Sequence, residues 1–283
     1  MTVYKHYNQE QLNDQYNNRL HVPDYGDYLE RWERLSRQTE KEHSVFKNIF
    51  FGTHPEECLD IFPADIPLAK TLVFIHGGYW HLLDKTMFHF LAASFLQFNV
   101  TTVFINYPLA PAASIDAITS SCGNAIRWLH DNIIRFNGNP SQIYAMGHSA
   151  GGHLAVMLSV EAGINYLKAV ISLSGLFRLE PLMLSNINDV LGMDTQTATR
   201  NSPVLLKPVN ICPLLLAMGT EETEEFKDQT MDMYNRWKNQ HNALELLKVT
   251  GKNHYSILDA VTENGSPLKS AIFRLMHIGE QKD

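Results

Sequence analysis

Residues 143–154 read IYAMGHSAGGHL, and this stretch joins the pattern of a buried strand to a serine between two glycines. The apolar run at 143–146 leads directly into Gly147, Ser149 and Gly151, after which small residues open a helix. A serine at such a strand–turn–helix junction stands on a strained turn where neighbouring side chains would collide. We therefore predict that Ser149 is a nucleophile, with an ordinary helix N-cap as the alternative.

The sequence on both sides of this stretch alternates short apolar runs with helical patterns. Such alternation indicates parallel strands covered on both faces, hence an α/β fold with a doubly wound, mostly parallel sheet. The first two strands are expected to be antiparallel at the sheet edge. Strands are predicted at 44–51, 58–63, 71–76, 100–106, 142–147, 169–174, 213–219 and 244–249. Helices are predicted at 85–98, 114–136, 150–162, 224–240 and 266–278, with an irregular polar segment at 175–208.

The N-terminal part of the chain has a different pattern from the rest. Residues 1–43 are polar with helical spacing, and Pro23 and Gly26 divide them into two pieces. We expect these residues to form a helical extension that is packed on the core or caps it. Residues 44–283 are then expected to form the α/β domain.

A second glycine motif follows the strand predicted at 71–76, where residues 76–80 read HGGYW. Acyl transfer needs two backbone N–H groups that point at the developing oxyanion, and glycines allow the backbone shape that this requires. We assign the donors to the turn formed by Gly77, Gly78 and Tyr79, through the N–H of Gly78 or Tyr79, together with Ala150 after the serine. A simple glycine turn is the alternative.

The side chains next to these two motifs are candidates for substrate binding. Tyr79 and Trp80 are placed to form a pocket for an acyl or leaving group, although core packing is the alternative for both. His148 adjoins the nucleophile on a tight turn, which makes it a poor base, and we assign it to substrate binding. His153 lies one helical turn further on and is expected to serve packing or to support the residues that contact the substrate.

The general base is predicted from the loop after the last strand. A serine hydroxyl needs a neighbouring base, and in enzymes with this turn the chain order is serine, acid, histidine. His254 in residues 251–255 (GKNHY) lies in the expected loop. His241 and His277 flank the region near helix ends, where a surface role is expected.

The acid is predicted from the loop after the strand at 213–219, where residues 219–226 read GTEETEEF. Its position three residues past the strand-end glycine selects Glu222, and Glu221 remains the alternative. Glu224 and Glu225 are expected in the first turn of the next helix, where carboxylates complement the helix dipole. Glu222 would orient His254 and stabilise its imidazolium.

Composition limits the choice of partners and location. A formal net charge of −7 argues against nucleic acid, whose phosphates would be repelled. No apolar run reaches the roughly eighteen residues of a membrane span, so no membrane partner is expected. The polar N-terminus lacks a hydrophobic signal core, which favours a cytoplasmic location. The sequence leaves open whether the chain forms a homodimer.

Metal chemistry is not expected from the sequence. The three cysteines are odd in number and widely spaced, which is typical of buried thiols rather than of disulfides or a zinc site. His148 and His153 lie five residues apart, which is the wrong spacing for two ligands on one helix face.

Two motifs together resemble the arylformamidase (kynurenine formamidase) family of α/β-hydrolases. These are residues 76–80 (HGGYW) and 147–154 (GHSAGGHL). The Tyr-Trp pair after two glycines is the more telling feature, since related lipases and esterases usually carry a third glycine there. Residues 174–177 (SGLF), 179–182 (LEPL) and 201–203 (NSP) are also similar to that family, and the resemblance spans most of the chain.

The resemblance implies a serine hydrolase that converts N-formylkynurenine to kynurenine and formate through an acyl-enzyme. It aligns Glu222 with the family's catalytic acid and implies a small-molecule substrate and no metal or organic cofactor. The chain departs from the family in having Glu where Asp is commoner, and Arg178 where an Asp is frequent. The alternatives are a carboxylesterase that cleaves small esters with the same residues, and a non-catalytic relative that binds a ligand or a protein partner.

Overall fold

The computed structural model describes residues 1–240 and 243–279. Within these ranges the strands form one eight-stranded sheet in the order β1-β2-β4-β3-β5-β6-β7-β8. The strands are β1 (Phe46–Phe50), β2 (Cys58–Phe62), β3 (Ala69–Ile75), β4 (Val100–Ile105), β5 (Gly138–His148), β6 (Leu167–Leu173), β7 (Leu214–Gly219) and β8 (Leu244–Val249).

The helices surround this sheet, and no helix of the described residues is long and apolar enough to cross a bilayer. The α-helices are α1 (Gln9–Gln15), α2 (Asn18–His21), α3 (Tyr25–Glu42), α4 (Ala93–Leu96), α5 (Ile115–Asn132), α6 (Ala150–Met157), α7 (Glu180–Met183), α8 (Asn188–Leu191), α9 (Thr195–Arg200), α10 (Glu224–Trp237), α11 (Ile257–Thr262) and α12 (Pro267–Leu275). Three 3₁₀ helices lie at Lys85–Leu91, Ile133–Phe136 and Pro203–Leu205.

The predicted α/β class and doubly wound sheet are confirmed. β1 pairs antiparallel with β2, β2 pairs antiparallel with β4, and the remaining strand pairs are parallel. Every residue of β4 and of β7 is buried, as expected for strands with helices on both faces. The chain runs from β3 to β4 on one side and then crosses to β5 on the other, so β3 and β5 flank a topological switch point.

Several predicted elements differ from the observed ones. The segment expected to be irregular contains α7, α8 and α9, whose four to six residues are too short for a helical period to be recognised. The helix predicted at 85–98 is a 3₁₀ helix followed by the short α4. No pattern in the sequence predicted α11, which begins three residues after His254.

Residues of the N-terminal extension make specific contacts with the α/β domain. Trp32 of α3 is buried and stacks on Phe90, with ring centroids 6.0 Å apart. The Ser36 hydroxyl donates to the Met87 carbonyl at 2.9 Å and accepts the Phe90 N–H at 3.0 Å. His89 lies between two carboxylates, 2.8 Å from Glu40 of α3 and 3.2 Å from Asp60 of β2.

Candidate active site

The loops after β3 and β5 lie side by side because these strands are parallel neighbours in register. Ile75 pairs with Gly147, so the residues that follow each strand emerge at the same sheet edge. A Cβ atom on Gly77 would lie 2.8 Å from the His148 carbonyl oxygen and 3.0 Å from Ser149 Cβ. The absence of a side chain at Gly77 therefore allows its loop to approach the serine.

Ser149 occupies a sharp turn between β5 and α6. Its backbone has φ 57° and ψ −121°, and its N–H donates to the Leu173 carbonyl at 2.8 Å. Cβ atoms at Gly147 and Gly151 would each come within 2.0 Å of a backbone oxygen, so both positions exclude side chains. The Ser149 hydroxyl makes no capping bond to α6, in contrast to the N-cap interpretation.

The loop after β3 is held in a strained shape. Gly78, Tyr79 and Trp80 have positive φ values of 104°, 49° and 59° in succession. The Tyr107 hydroxyl supports the loop by donating to the His76 carbonyl at 2.8 Å, and His76 Nδ1 donates to the next carbonyl along the chain at 2.8 Å.

The predicted oxyanion donors are available in this arrangement. Within the described residues, the backbone N–H groups of Gly78, Tyr79 and Ala150 donate to no backbone carbonyl outside their own elements. Ala150 is the first residue of α6, and the N–H groups of a helical first turn have no partner within the helix. The site therefore has backbone donors that an anionic oxygen could accept from.

The loops after β7 and β8 bring a carboxylate to the predicted base. His254 Nδ1 lies 3.1 Å from Glu222 Oε2, and both side chains are buried. Glu222 Oε1 accepts the Gly219 N–H at 2.6 Å. Glu221 is exposed, and its backbone N–H binds the Lys252 carbonyl instead. Of the two candidate acids, only Glu222 faces His254.

Ser174, at the end of β6, is a member of this site that the sequence reasoning missed. It is buried with a φ of 52°, and its hydroxyl donates to Glu222 Oε1 at 2.7 Å. The two donors on Oε1 orient the carboxylate so that Oε2 faces His254. The available signals were its place at the end of the strand predicted at 169–174 and its inclusion in the segment 174–177 (SGLF), which is similar to the arylformamidase family.

Ser149 and His254 line a cavity of about 520 Å³. Its walls include Tyr79, Phe88 and Tyr255 from the α/β domain, and residues of α1, α2 and α3 from the N-terminal extension. The Tyr79 hydroxyl joins the two parts by donating to the Tyr16 carbonyl at 2.7 Å. A cavity of this size, with aromatic walls and a few polar groups, suits a small organic ligand.

The BD-FAE family profile matches residues 59–203, which include both glycine motifs and more than half of the chain. The chain belongs to the BD-FAE family. This places the protein among the α/β-hydrolases, and hydrolysis is its reaction class.

Other proteins similar to this BD-FAE member agree with that class. Kynurenine formamidase from Salmo salar is 27% identical over 249 residues, which cover 81% of each sequence. Kynurenine formamidase from Danio rerio is 26% identical over 260 residues, which cover 86% of each sequence. A crystal structure of a protein from Silicibacter sp. TM1040 matches with a TM-score of 0.84 at 24% identity, over 93% of this chain and 98% of that one. The confirmed resemblance is therefore to kynurenine formamidases.

The two histidines next to the nucleophile candidate of this BD-FAE protein, His148 and His153, have structural partners. His148 Nε2 donates to the His254 carbonyl at 2.8 Å. Burial, and then the adjacent His254, lower the pKa of His148 well below 6.5, so it is neutral at pH 7. His153 Nε2 donates to the Asn201 carbonyl at 2.7 Å, and burial lowers its pKa to about 4. His241 lies outside the described residues.

The prediction that Trp80 lines the substrate pocket is wrong, and the core-packing alternative applies. Its side chain is fully buried and meets His153 edge-on, with ring centroids 5.1 Å apart. Phe88 is as fully buried as Trp80, but Phe88 is among the residues that line the cavity and Trp80 is not. Trp32, Phe88 and Tyr255 supply the aromatic walls instead, and the sequence reasoning identified none of these as site residues.

Metal ligands are not clustered at the site. Within residues 1–240 and 243–279, no group of three or more His, Cys, Asp or Glu is arranged to hold a metal ion. The geometry instead offers a hydroxyl, a histidine–carboxylate pair and backbone donors.

Gly77→Ala is expected to lower kcat by roughly tenfold to a hundredfold, because the added Cβ would displace the loop from the serine and misalign its backbone donors. Steady-state kinetics on any substrate that needs Ser149 would measure this. Gly26→Ala is the matched control, since a Cβ there meets nothing within 4 Å. Equal activity of the two variants would contradict the role given to the Gly77 loop.

Proposed function

We propose that this protein hydrolyses an aryl formamide, N-formylkynurenine, to kynurenine and formate. The observation that carries the proposal is the strained Ser149 at the wall of a cavity that His254 also lines, with backbone N–H groups available nearby and Glu222 paired with His254. The two kynurenine formamidases support the substrate, since each aligns over more than four-fifths of both sequences.

In the proposed mechanism His254 is the general base. Its Nδ1 faces Glu222, which leaves Nε2 to accept the proton of Ser149 as the hydroxyl attacks the formyl carbon. Glu222 fixes the tautomer with the proton on Nδ1 and stabilises the imidazolium that forms. The hydrogen bond from His148 Nε2 to the His254 carbonyl holds the backbone of His254 in place.

Backbone groups stabilise the negative charge that develops on the carbonyl oxygen. The N–H of Ala150 and an N–H of the Gly78–Tyr79 turn bind the oxyanion. His254 then protonates the leaving arylamine, the C–N bond breaks, and formyl-Ser149 remains. Water, deprotonated by His254, hydrolyses this ester to formate and restores the serine.

The leaving arylamine occupies the aromatic part of the cavity in this proposal. Tyr79, Phe88 and Tyr255 provide ring faces and edges for the aryl ketone. Residues 1–43 roof the site, because α1 and α2 line the cavity and Tyr79 is hydrogen-bonded to Tyr16 and Asn18. The extension thereby limits the entry of water around the reacting bond.

The test is to mix purified protein with N-formylkynurenine and follow the absorbance of kynurenine, with a short p-nitrophenyl ester assayed in parallel. Rapid turnover of the formamide that is lost in Ser149→Ala would support the proposal. Ser149-dependent cleavage of the ester with little turnover of the formamide would make the protein a carboxylesterase. No cleavage of either substrate would favour a non-catalytic relative.

A further inference from the structure

Arg19 is the one lysine or arginine among the described residues that line the active-site cavity. It belongs to α2 in the N-terminal extension, and its guanidinium lies 5.4 Å from the centroid of the Tyr25 ring. Within the described residues it forms no ion pair, whereas Arg31, Arg127 and Arg178 each pair with a carboxylate. A guanidinium at a cavity wall that has no acidic partner in the protein can pair with an acidic group of a ligand.

The charge of Arg19 acts on other residues of the same cavity. Burial and then the Arg19 guanidinium lower the pKa of His81, which lines the cavity. Burial raises the pKa of the Tyr255 hydroxyl, and Arg19 opposes that rise. Because Tyr255 directly follows His254, the positive field of Arg19 reaches the side of the cavity that carries the proposed base.

We propose that Arg19 binds a carboxylate on the leaving group of the substrate, so that the enzyme selects aryl formamides that carry a carboxylate over those that carry none. A formyl group has a single carbon and cannot carry that carboxylate, so it must belong to the leaving arylamine. A guanidinium offers two parallel N–H donors that match the two oxygens of a carboxylate. This inference rests on the proposed function, because it assigns a specificity residue to that reaction.

Two carboxylates of α1 also line the cavity and would act on such a substrate. Asp14 lies 3.1 Å from His21 Nε2, so a partner already faces one of its oxygens. Glu10 and Arg19 are both exposed, so solvent screens the repulsion of a carboxylate by Glu10, whereas Arg19 acts through a direct guanidinium–carboxylate contact. Glu10→Gln is therefore expected to change the turnover of N-formylkynurenine by less than about threefold.

The experiment compares two formamides that share the aryl ketone and differ in the amino-acid group. These are N-formylkynurenine, a zwitterion that carries an α-carboxylate and an α-ammonium, and 2-formamidoacetophenone, which carries neither group. Arg19→Met is expected to lower kcat/KM for N-formylkynurenine by roughly tenfold or more, and for 2-formamidoacetophenone by less than about twofold. Arg19→Lys should restore part of the loss because it retains the charge.

Arg34→Met is the matched control. It removes the same charge from α3 at a surface groove away from the cavity, and both substrates should react as with the unmodified enzyme. Added NaCl should screen the attraction between the guanidinium and the carboxylate, and so reduce the preference for N-formylkynurenine in the unmodified enzyme but not in Arg19→Met. An equal loss for both substrates in Arg19→Met, or no loss for either, would overturn the proposal.

Calorimetric binding of kynurenine and of 2-aminoacetophenone separates this inference from the proposed reaction. Kynurenine binding that weakens in Arg19→Met, in a protein that does not cleave formamides, would support Arg19 and refute the formamidase activity. If the protein cleaves formamides but Arg19→Met binds kynurenine as tightly as the unmodified protein, the formamidase activity is supported and the role of Arg19 is refuted. No binding of kynurenine to the unmodified protein at millimolar concentration would also overturn the assignment of Arg19.

Discussion

Ser149→Ala is expected to lower kcat for formamides and esters by about 10⁴-fold or more, because no acyl-enzyme can form without the hydroxyl. The residual rate would come from the backbone donors and the cavity, which the substitution leaves in place. The fold should survive, since the hydroxyl makes no capping bond and alanine adds no atoms to the turn. Steady-state kinetics and thermal unfolding together measure the two effects.

Ser121→Ala is a suitable control for this experiment. Ser121 is also a buried serine, on α5, and its hydroxyl has no hydrogen-bond partner within the described residues. Its replacement should leave kcat within about twofold of the unmodified enzyme. If Ser149→Ala kept more than a tenth of the original kcat with Ser121→Ala unchanged, another residue would have to be the nucleophile.

Glu222→Gln is expected to lower kcat by roughly 10²- to 10⁴-fold, because it would stabilise the wrong tautomer of His254. The glutamine oxygen would keep the two donors on Oε1, the Gly219 N–H and the Ser174 hydroxyl. Its amide NH₂ would then face His254 Nδ1, so that Nδ1 must accept a hydrogen bond rather than donate one. The ring proton moves to Nε2, where His254 cannot take the proton of Ser149.

Glu221→Gln provides the comparison for Glu222→Gln, since it makes the same chemical change one residue away on an exposed side chain. We expect its kcat to stay within about twofold of the unmodified value. The assay is the initial rate with saturating substrate across pH 6 to 9. A larger loss in Glu221→Gln than in Glu222→Gln would show that the acid was assigned to the wrong residue.

Local sequence features were sufficient to predict the sheet and the core of the site. Parallel strands that are buried on both faces require apolar runs, and β4 and β7 have them over their whole length. The turn around Ser149 needs glycines for steric reasons that are local to the chain. His254 and Glu222 could be placed because each follows a recognisable strand.

The rest of the site depends on contacts between residues that are distant in the sequence. Ser174 and Glu222 are 48 residues apart, and only the pairing of β6 with β7 brings them together. Trp80 could not be assigned to the core from its neighbours, because the direction of its side chain depends on three successive positive φ angles. The contribution of Arg19 to the cavity likewise follows from how α2 packs, which periodicity does not encode.

The most direct test of the central claim is to react the protein with diethyl p-nitrophenyl phosphate and locate the adduct by tandem mass spectrometry. This reagent phosphorylates activated serine hydroxyls and releases p-nitrophenolate. We predict one phosphoryl group per chain on Ser149, formed in step with the loss of activity, and no adduct in Glu222→Gln on the same timescale. Loss of activity with Ser149 unmodified, or labelling of a different residue, would contradict the claim that Ser149 is the nucleophile.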